Sequence, residues 1–328
     1  MNKRERLEKS IAGEATDRTP AALWRYWPGD DQRAADLARS TIEFQQTYNW
    51  DFVKITPAES YAVADYGLQD EWQGNPEGTR TCTKRAVSRS LDWTNLRPLD
   101  PQRGALGRNL ETLRIVTEGL RNDDAPIIQT IYSPLTQAAM IAGRDTLIRH
   151  IRTSPDRVQT GLNALTETTL RFIDSMKRFP VSGIYYSVRE ASFDVLTEDE
   201  YRIFGLPYDR KILESIQSKW WLNVLHLDGE APMFRLCSQL PVQVINWHDQ
   251  ATEPDIAQAK LQFNFAVCGG LSHTLHMNYG TPATIREQIR SAMTQANNRR
   301  LILATGSALM ATTPFSNIRA VQETIQGT

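Results

Sequence analysis

Apolar residues fall in eight short runs spread along the chain, and most of the gaps between them have helical spacing. The runs are TPAALWRYW (19–27), WDFVKITP (50–57), PIIQTIYSP (126–134), GIYYSV (183–188), WLNVLHLDG (221–229), VQVINWHD (242–249), FAVCGG (265–270) and LILATGS (301–307). Most end in a polar or charged residue. Buried strands that alternate with helices and carry polar groups at their C-terminal ends predict an α/β fold, a (β/α)8 TIM barrel with its chemistry at that rim.

Helices are predicted between the runs. Arg4, Leu7 and Ile11 lie on neighbouring turns of a helix that leads into the first strand. Residues 30–48 carry Ala34, Leu37, Ile42 and Phe44. Ser154-Pro155-Asp156 opens a helix over 155–178, with Val158, Leu162, Leu165, Phe172, Ile173 and Met176 on one stripe. Thr281-Pro282 and Thr313-Pro314 open two more. One gap, 58–125, is too long for a simple crossover. Within it LQDEWQGNPEGTRTCTKRAVS reads as two extended segments around Gly74-Asn75-Pro76-Glu77-Gly78, a hairpin inserted after strand two. Such a hairpin sits on the C-terminal face, as a lid, a dimer-contact arm or a plain structural hairpin.

The length of 328 residues fits one barrel domain over 1–328, with 58–125 as its insertion-bearing segment; an ordinary barrel takes roughly 250 residues. Lys+Arg 37 against Asp+Glu 38 leaves no electrostatic footprint for nucleic acid or an anionic membrane. No run approaches the roughly 20 apolar residues of a membrane span, and the charged N-terminus lacks the apolar core of a secretory signal. Cys82, Cys237 and Cys268 are far apart and odd in number, so a reducing cytoplasm is the expected location.

Period two places His226 and Asp228 on one face at the end of the fifth run. They form a usable acid/base pair, two-thirds of a metal site, or a buried histidine held by a structural aspartate. His248 and Asp249 end the sixth run, where His248 shares a face with Asn246 and Asp249 could instead cap the next segment. Arg25 and Lys54 are candidate holders of a substrate carboxylate or phosphate. The alternative for Lys54 is a salt bridge to Glu190 or Asp228. Ser187, Arg189 and a tyrosine of the fourth run could line the same pocket. His273 and His276 lack a third matching ligand. No GxGxxG follows a strand and no P-loop is present, so nucleotide binding lacks its usual signature.

In order along the chain, RERLEKSIAGEATDRTP, WDFVKITP, IIQTIYSPLTQAAMIAG, YYSVREASFDVLTEDEYRIFGLPYDRKIL, LHLDG, FAVCGGLSHTLHMNYGTPATIREQIRSAM and ATGSALMATTPFSNIRAVQETI resemble segments of the uroporphyrinogen decarboxylase superfamily, which also holds corrinoid-linked methyltransferases. The resemblance spans essentially the whole chain and implies a (β/α)8 barrel and a homodimer. Its site residues carry over poorly. The decarboxylases' strand-one Arg-Gln-Ala-Gly-Arg-Tyr run stands here as Arg25-Tyr26-Trp27-Pro28-Gly29, with one arginine gone. Their strand-two Ser-Asp falls at Pro57-Ala58, beside Glu59, their tyrosine at Ala139 or Met140, and their C-terminal histidine at Ser307; their serine matches Ser187. The methyltransferases' zinc-binding His-x-Cys and later Cys fall at His226, Asp228 and Ser307, a set that does not support a thiolate-rich zinc.

The leading expectation is therefore a decarboxylase-like lyase without an added cofactor. It would use His226, Asp228 and His248 for proton transfer, with Arg25, Lys54, Glu59, Ser187, Arg189 and Ser307 binding a carboxylated, possibly tetrapyrrole, substrate. The alternatives are a metal-dependent methyltransferase with a corrinoid protein as partner, and a non-catalytic tetrapyrrole- or corrinoid-binding barrel.

Overall fold

The computed structural model describes residues 1–327. Its strands are β1 (Val53–Ile55), β2 (Gln69–Glu71), β3 (Thr81–Lys84), β4 (Ile127–Tyr132), β5 (Gly183–Val188), β6 (Val224–Leu227), β7 (Val244–Trp247), β8 (Ala266–Leu271) and β9 (Leu301–Thr305). Seven of them form one parallel sheet in the order β1-β4-β5-β6-β7-β8-β9. The sheet curls in a TIM-barrel-like arrangement, with helices in the connections. Every residue of these seven strands is buried, because crossover helices cover the outer face of a parallel sheet.

The first apolar run departs from expectation. It is not a regular strand but touches the last strand region at two isolated bridges, Ala21 to Leu303 and Arg25 to Leu309. Pro20 has no N–H to donate, and Pro28 closes the segment. The run nevertheless lies at the seam of the sheet. Ala22 N–H donates to Leu303 O at 2.9 Å on one side, and Asp51 N–H donates to Ala21 O at 2.9 Å on the other.

The helices follow the predicted stripes. Lys3–Ala12 begins on Asn2, whose side chain accepts from Glu5 N–H. Pro155–Met176 buries Val158, Leu162, Leu165, Phe172, Ile173 and Met176, and ends two residues earlier than predicted. Thr281 caps Pro282–Gln295 through Thr284 N–H. The final helix begins at Phe315, one residue beyond Pro314. Gly183 is needed at the start of β5, since a Cβ there would fall on the Leu222 carbonyl oxygen.

Between β1 and β4, β2 pairs antiparallel with β3. The turn joining them rests against the rim of the sheet. Ala311 N–H donates to Pro76 O at 2.6 Å, and Glu77 lies 3.5 Å from His273. Gly78 has φ of 77°, and a Cβ there would meet the Tyr26 side chain at 2.7 Å, so this contact needs glycine. No helix among the described residues is long and apolar enough to cross a membrane.

Candidate functional site

The C-terminal ends of the strands surround a narrow pocket. Its wall includes Trp24, Tyr26, Lys54, Tyr132, Ser187 and Arg189, with His226, Asp228 and Ser307 from the later strands.

His226 is the most constrained of these groups. It is the penultimate residue of β6, and its Nδ1 lies 2.7 Å from Asn246 Oδ1. Asn246 Nδ2 donates to the carbonyls of Cys268 and Thr305, at 2.6 and 3.0 Å. That fixes the amide, so Oδ1 is the acceptor and His226 carries its proton on Nδ1. Tyr185 donates to the same Oδ1 at 2.7 Å and stacks on the His226 ring with centroids 5.3 Å apart. Burial drops the pKa of His226 to about 3, against the pull of Asp228. The ring is therefore neutral, with the Nε2 lone pair unprotonated.

Asp228 follows β6 by one residue and is held by its N–H donating to Val188 O at 3.0 Å. Oδ1 lies 3.1 Å from His248 Nε2, and Oδ2 lies 3.6 Å from Arg189 Nε. Burial works against its charge, but the His248 hydrogen bond and the nearby Arg189 outweigh it and hold the carboxyl well below the usual range. His248 faces the same space, with its ring centroid 6.1 Å from that of His226. One ligand atom from each of His226, Asp228 and His248 lies within 4.8 Å of the others.

This N,O,N set fits a divalent cation. Two imidazoles and a carboxylate are a recurrent zinc donor set, and the Nδ1 proton of His226 is already committed to a neighbour, as in most metal-ligating histidines. Ser307, where the resemblance puts the family's later Cys, lines the pocket, and His248 completes the three-residue group.

Glu59, Arg189, Tyr26 and Tyr132 form a second cluster, joined to the first where Arg189 meets Asp228. Glu59 pairs with Arg189 and accepts from Tyr26 Oη at 2.9 Å. Burial opposes its charge, but the Arg189 guanidinium wins and its pKa falls below the ordinary value. Tyr132 Oη is 3.4 Å from Tyr26 Oη, and the Arg189 guanidinium lies over the Tyr132 ring at 5.4 Å. Lys54 also projects into the pocket, where burial first and then the Arg189 charge bring its pKa down to about 7.

Arg25 departs from expectation, and the structure decides three alternatives that the sequence left open. Arg25 does not line the pocket: its guanidinium donates to Ala311 O at 3.0 Å and lies over the Trp27 ring. Trp24 and Tyr26, its neighbours in the run, point inward in its place. Lys54 makes no salt bridge to Glu190 or Asp228; Glu190 accepts from Thr136 Oγ1 at 2.6 Å and sits 3.7 Å from Arg144. Asp249 turns away and accepts from Gly270 N–H. His273 and His276 do not share a site, because His276 Nδ1 accepts from Ser272 N–H while His273 faces Glu77. All three cysteines are free thiols. Sequence reasoning missed Tyr26, Tyr132 and the anchoring role of Asn246. For Tyr26 a signal existed: it shares the parity of Trp24, and Arg25 has the opposite one.

The chain is 20% identical to the methylcobamide:CoM methyltransferase MtbA of Methanosarcina mazei, over 98% of this chain and 96% of that protein. It is 26% identical to the uroporphyrinogen decarboxylase of Gloeobacter violaceus, over 70% of this chain and 67% of that protein. A solved structure described as a methyltransferase from Methanosarcina mazei superposes with a TM-score of 0.87 at 18% identity, covering 100% of this chain and 99% of the other; that likeness shows a shared fold. Residues 76–328 match the sequence model of uroporphyrinogen decarboxylase (URO-D), and the chain belongs to that family.

Proposed function

We propose that this chain is a methyltransferase of the family, moving a methyl group from a corrinoid-borne donor to a small thiol bound beside His226, Asp228 and His248. The observation that carries this reading is the N,O,N cluster at the pocket floor, with its histidine tautomer fixed by Asn246. The extent of similarity supports it, since a methylcobamide:CoM methyltransferase matches over 98% of the chain and a decarboxylase over 70%. The decarboxylase reading is weaker. The family's strand-one arginine pair is reduced to Arg25, whose guanidinium is taken up by the Ala311 carbonyl and the Trp27 ring.

A divalent cation held by His226, Asp228 and His248 would supply Lewis acidity that favours the thiolate of the acceptor. A ligand set with one carboxylate and no thiolate leaves more positive charge there than a cysteine-rich set does. The residues of the chain do the rest. Asn246 keeps the His226 lone pair free, Arg189 holds Asp228 and Glu59 in place, and Trp24, Tyr132 and Tyr185 wall off water. The thiol loses its proton to solvent on binding. Its sulfur lone pair then forms the S–CH3 bond, while the donor keeps the electron pair of the bond that breaks. The hairpin of β2 and β3 covers the rim as a lid, through Pro76, Glu77 and Gly78.

The test mixes purified protein with methylcobalamin and 2-mercaptoethanesulfonate and follows loss of the methylcobalamin spectrum, alongside metal analysis. Bound divalent metal and methyl transfer are expected. His226→Ala should lower the rate by more than the about 10–100-fold typical of losing a ligand's supporting partner. Turnover of uroporphyrinogen with no methyl transfer would overturn the reading.

A further inference from the structure

Arg189 stands between two carboxylates and serves them unequally. It follows β5, where its backbone N–H donates to Thr136 Oγ1 at 3.0 Å. Its Nη2 donates directly to Glu59 Oε1, an oxygen that also accepts from Tyr26 Oη at 2.9 Å. Its Nε lies 3.6 Å from Asp228 Oδ2, too far for a hydrogen bond, and this buried N–H has no partner among the described residues. Asp228 divides its contacts in the same way. Oδ1 meets His248 Nε2 at 3.1 Å and Gly229 N–H at 3.0 Å, whereas Oδ2 accepts no hydrogen bond among the described residues.

A guanidinium N–H and a carboxylate oxygen that share a buried place normally close to about 2.7–2.9 Å, because a charge-assisted bond is stronger than a neutral one. A shift of about 0.8 Å would close this pair. Glu59 pulls the other way. It opens the short helical turn Glu59–Ala62 beyond β1, so its carboxylate reaches Arg189 from a different strand end than Asp228 does. The Tyr132 ring, 5.4 Å from the guanidinium, supports that position. An arginine that closed on Asp228 would compete with a bound cation there, since both need the same lone pairs and repel each other.

We propose that Glu59 is a positioning residue for the donor cluster: it retains Arg189 and so keeps Asp228 Oδ2 open to a divalent cation. The inference rests on the metal-binding part of the methyltransferase reading, and on the Glu59–Arg189–Asp228 geometry for the rest. The cluster has a single carboxylate, and Arg189 brings a positive charge to its edge that Glu59 cancels. Without Glu59, Asp228 is the one salt-bridge partner left to Arg189. A cation would then meet two neutral imidazoles and an anion already paired.

Zinc affinity of the purified full chain tests this, read at fixed pH by competition with a chromogenic chelator, with the melting temperature of each variant as the check on folding. Glu59→Gln keeps the shape and the oxygen that Tyr26 needs but loses the charge. It should weaken zinc binding about 10–100-fold. Arg189→Met should bind zinc at least as tightly as the parent. The double variant Glu59→Gln/Arg189→Met should return to within about threefold of parental affinity, because the loss in the single variant needs the guanidinium. A purely structural role for Glu59 would persist in the double variant. Parental affinity in Glu59→Gln, a double variant as weak as Glu59→Gln, or weaker binding in Arg189→Met would overturn the proposal; the Arg189→Met comparison decides it even where Glu59→Gln does not fold. The expected zinc pattern without methyl transfer from methylcobalamin would leave the role of Glu59 standing and remove the methyltransferase reading. A parent that binds no zinc would remove the donor cluster on which both rest.

Discussion

Asn246 shows how one side chain sets the chemistry of another. Its amide donates to two backbone carbonyls, and its oxygen therefore accepts hydrogen bonds from Tyr185 and His226. Replacing it frees the imidazole to rotate and to change tautomer. Asn246→Leu is expected to weaken divalent metal binding about 10–100-fold, measured by competition with a chromogenic chelator. Glu190 offers a separate test by pH. Burial raises its pKa from an ordinary 4.5 to about 7 in the folded chain. A raised folded value means the native state holds the proton more tightly than the unfolded one. The contribution to stability is therefore complete below about pH 4.5 and is lost as pH rises through about 7. Glu190→Gln should flatten the fall in urea midpoint across that window; an unchanged slope would show that the carboxyl titrates normally.

At the scale of elements, the hairpin of β2 and β3 meets the rest of the molecule through its turn and through the Arg80–Asp31 pair at 3.7 Å. Pro76, Glu77 and Gly78 touch Ala311, His273 and Tyr26, while β2 and β3 carry largely exposed side chains. An element held by few buried contacts opens locally at low cost. Breaking the Glu77–His273 pair with Glu77→Gln should speed amide exchange over residues 69–84 roughly two- to five-fold, the range for a partly exposed ion pair, with little change in global melting. Exchange that stays at the parent rate would show that Pro76, Gly78 and the buried Arg80–Asp31 pair hold the hairpin without it. The hairpin was legible from its Gly-Asn-Pro-Glu-Gly turn and flanking extended residues. The irregular first run was not, because its pairing depends on Leu303 and Asp51, distant in sequence.

At the scale of the whole molecule, Asp51 ties the seam together at the end of the sheet opposite the pocket. Its fully buried carboxylate accepts from Arg6 at 2.6 Å, from Arg18 at 2.7 Å and from Ala21 N–H at 2.8 Å. It thereby joins the first helix, the segment after it, the first apolar run and β1. Asp51→Ala leaves two guanidinium groups poorly matched in a buried place. A loss of about 3–5 kcal/mol in unfolding free energy is expected, read from guanidinium denaturation. A loss below about 1 kcal/mol would mean that the arginines find water or Asp17 instead.

The sequence by itself determined the succession of buried strands and covering helices, because burial on both faces demands continuous apolar runs and helix packing demands a stripe. It also placed His226 and Asp228 on one face, since a strand repeats every two residues. Tertiary structure alone decided that His248, from the next strand, completes a three-residue donor set, and that Arg189 meets Glu59 from 130 positions away. It decided too that the Arg25 guanidinium is taken up by Ala311 and Trp27, and that Lys54 makes no salt bridge to Glu190 or Asp228. Such outcomes depend on distances across the curl of the sheet, and local periodicity holds no information about which distant side chains share a pocket.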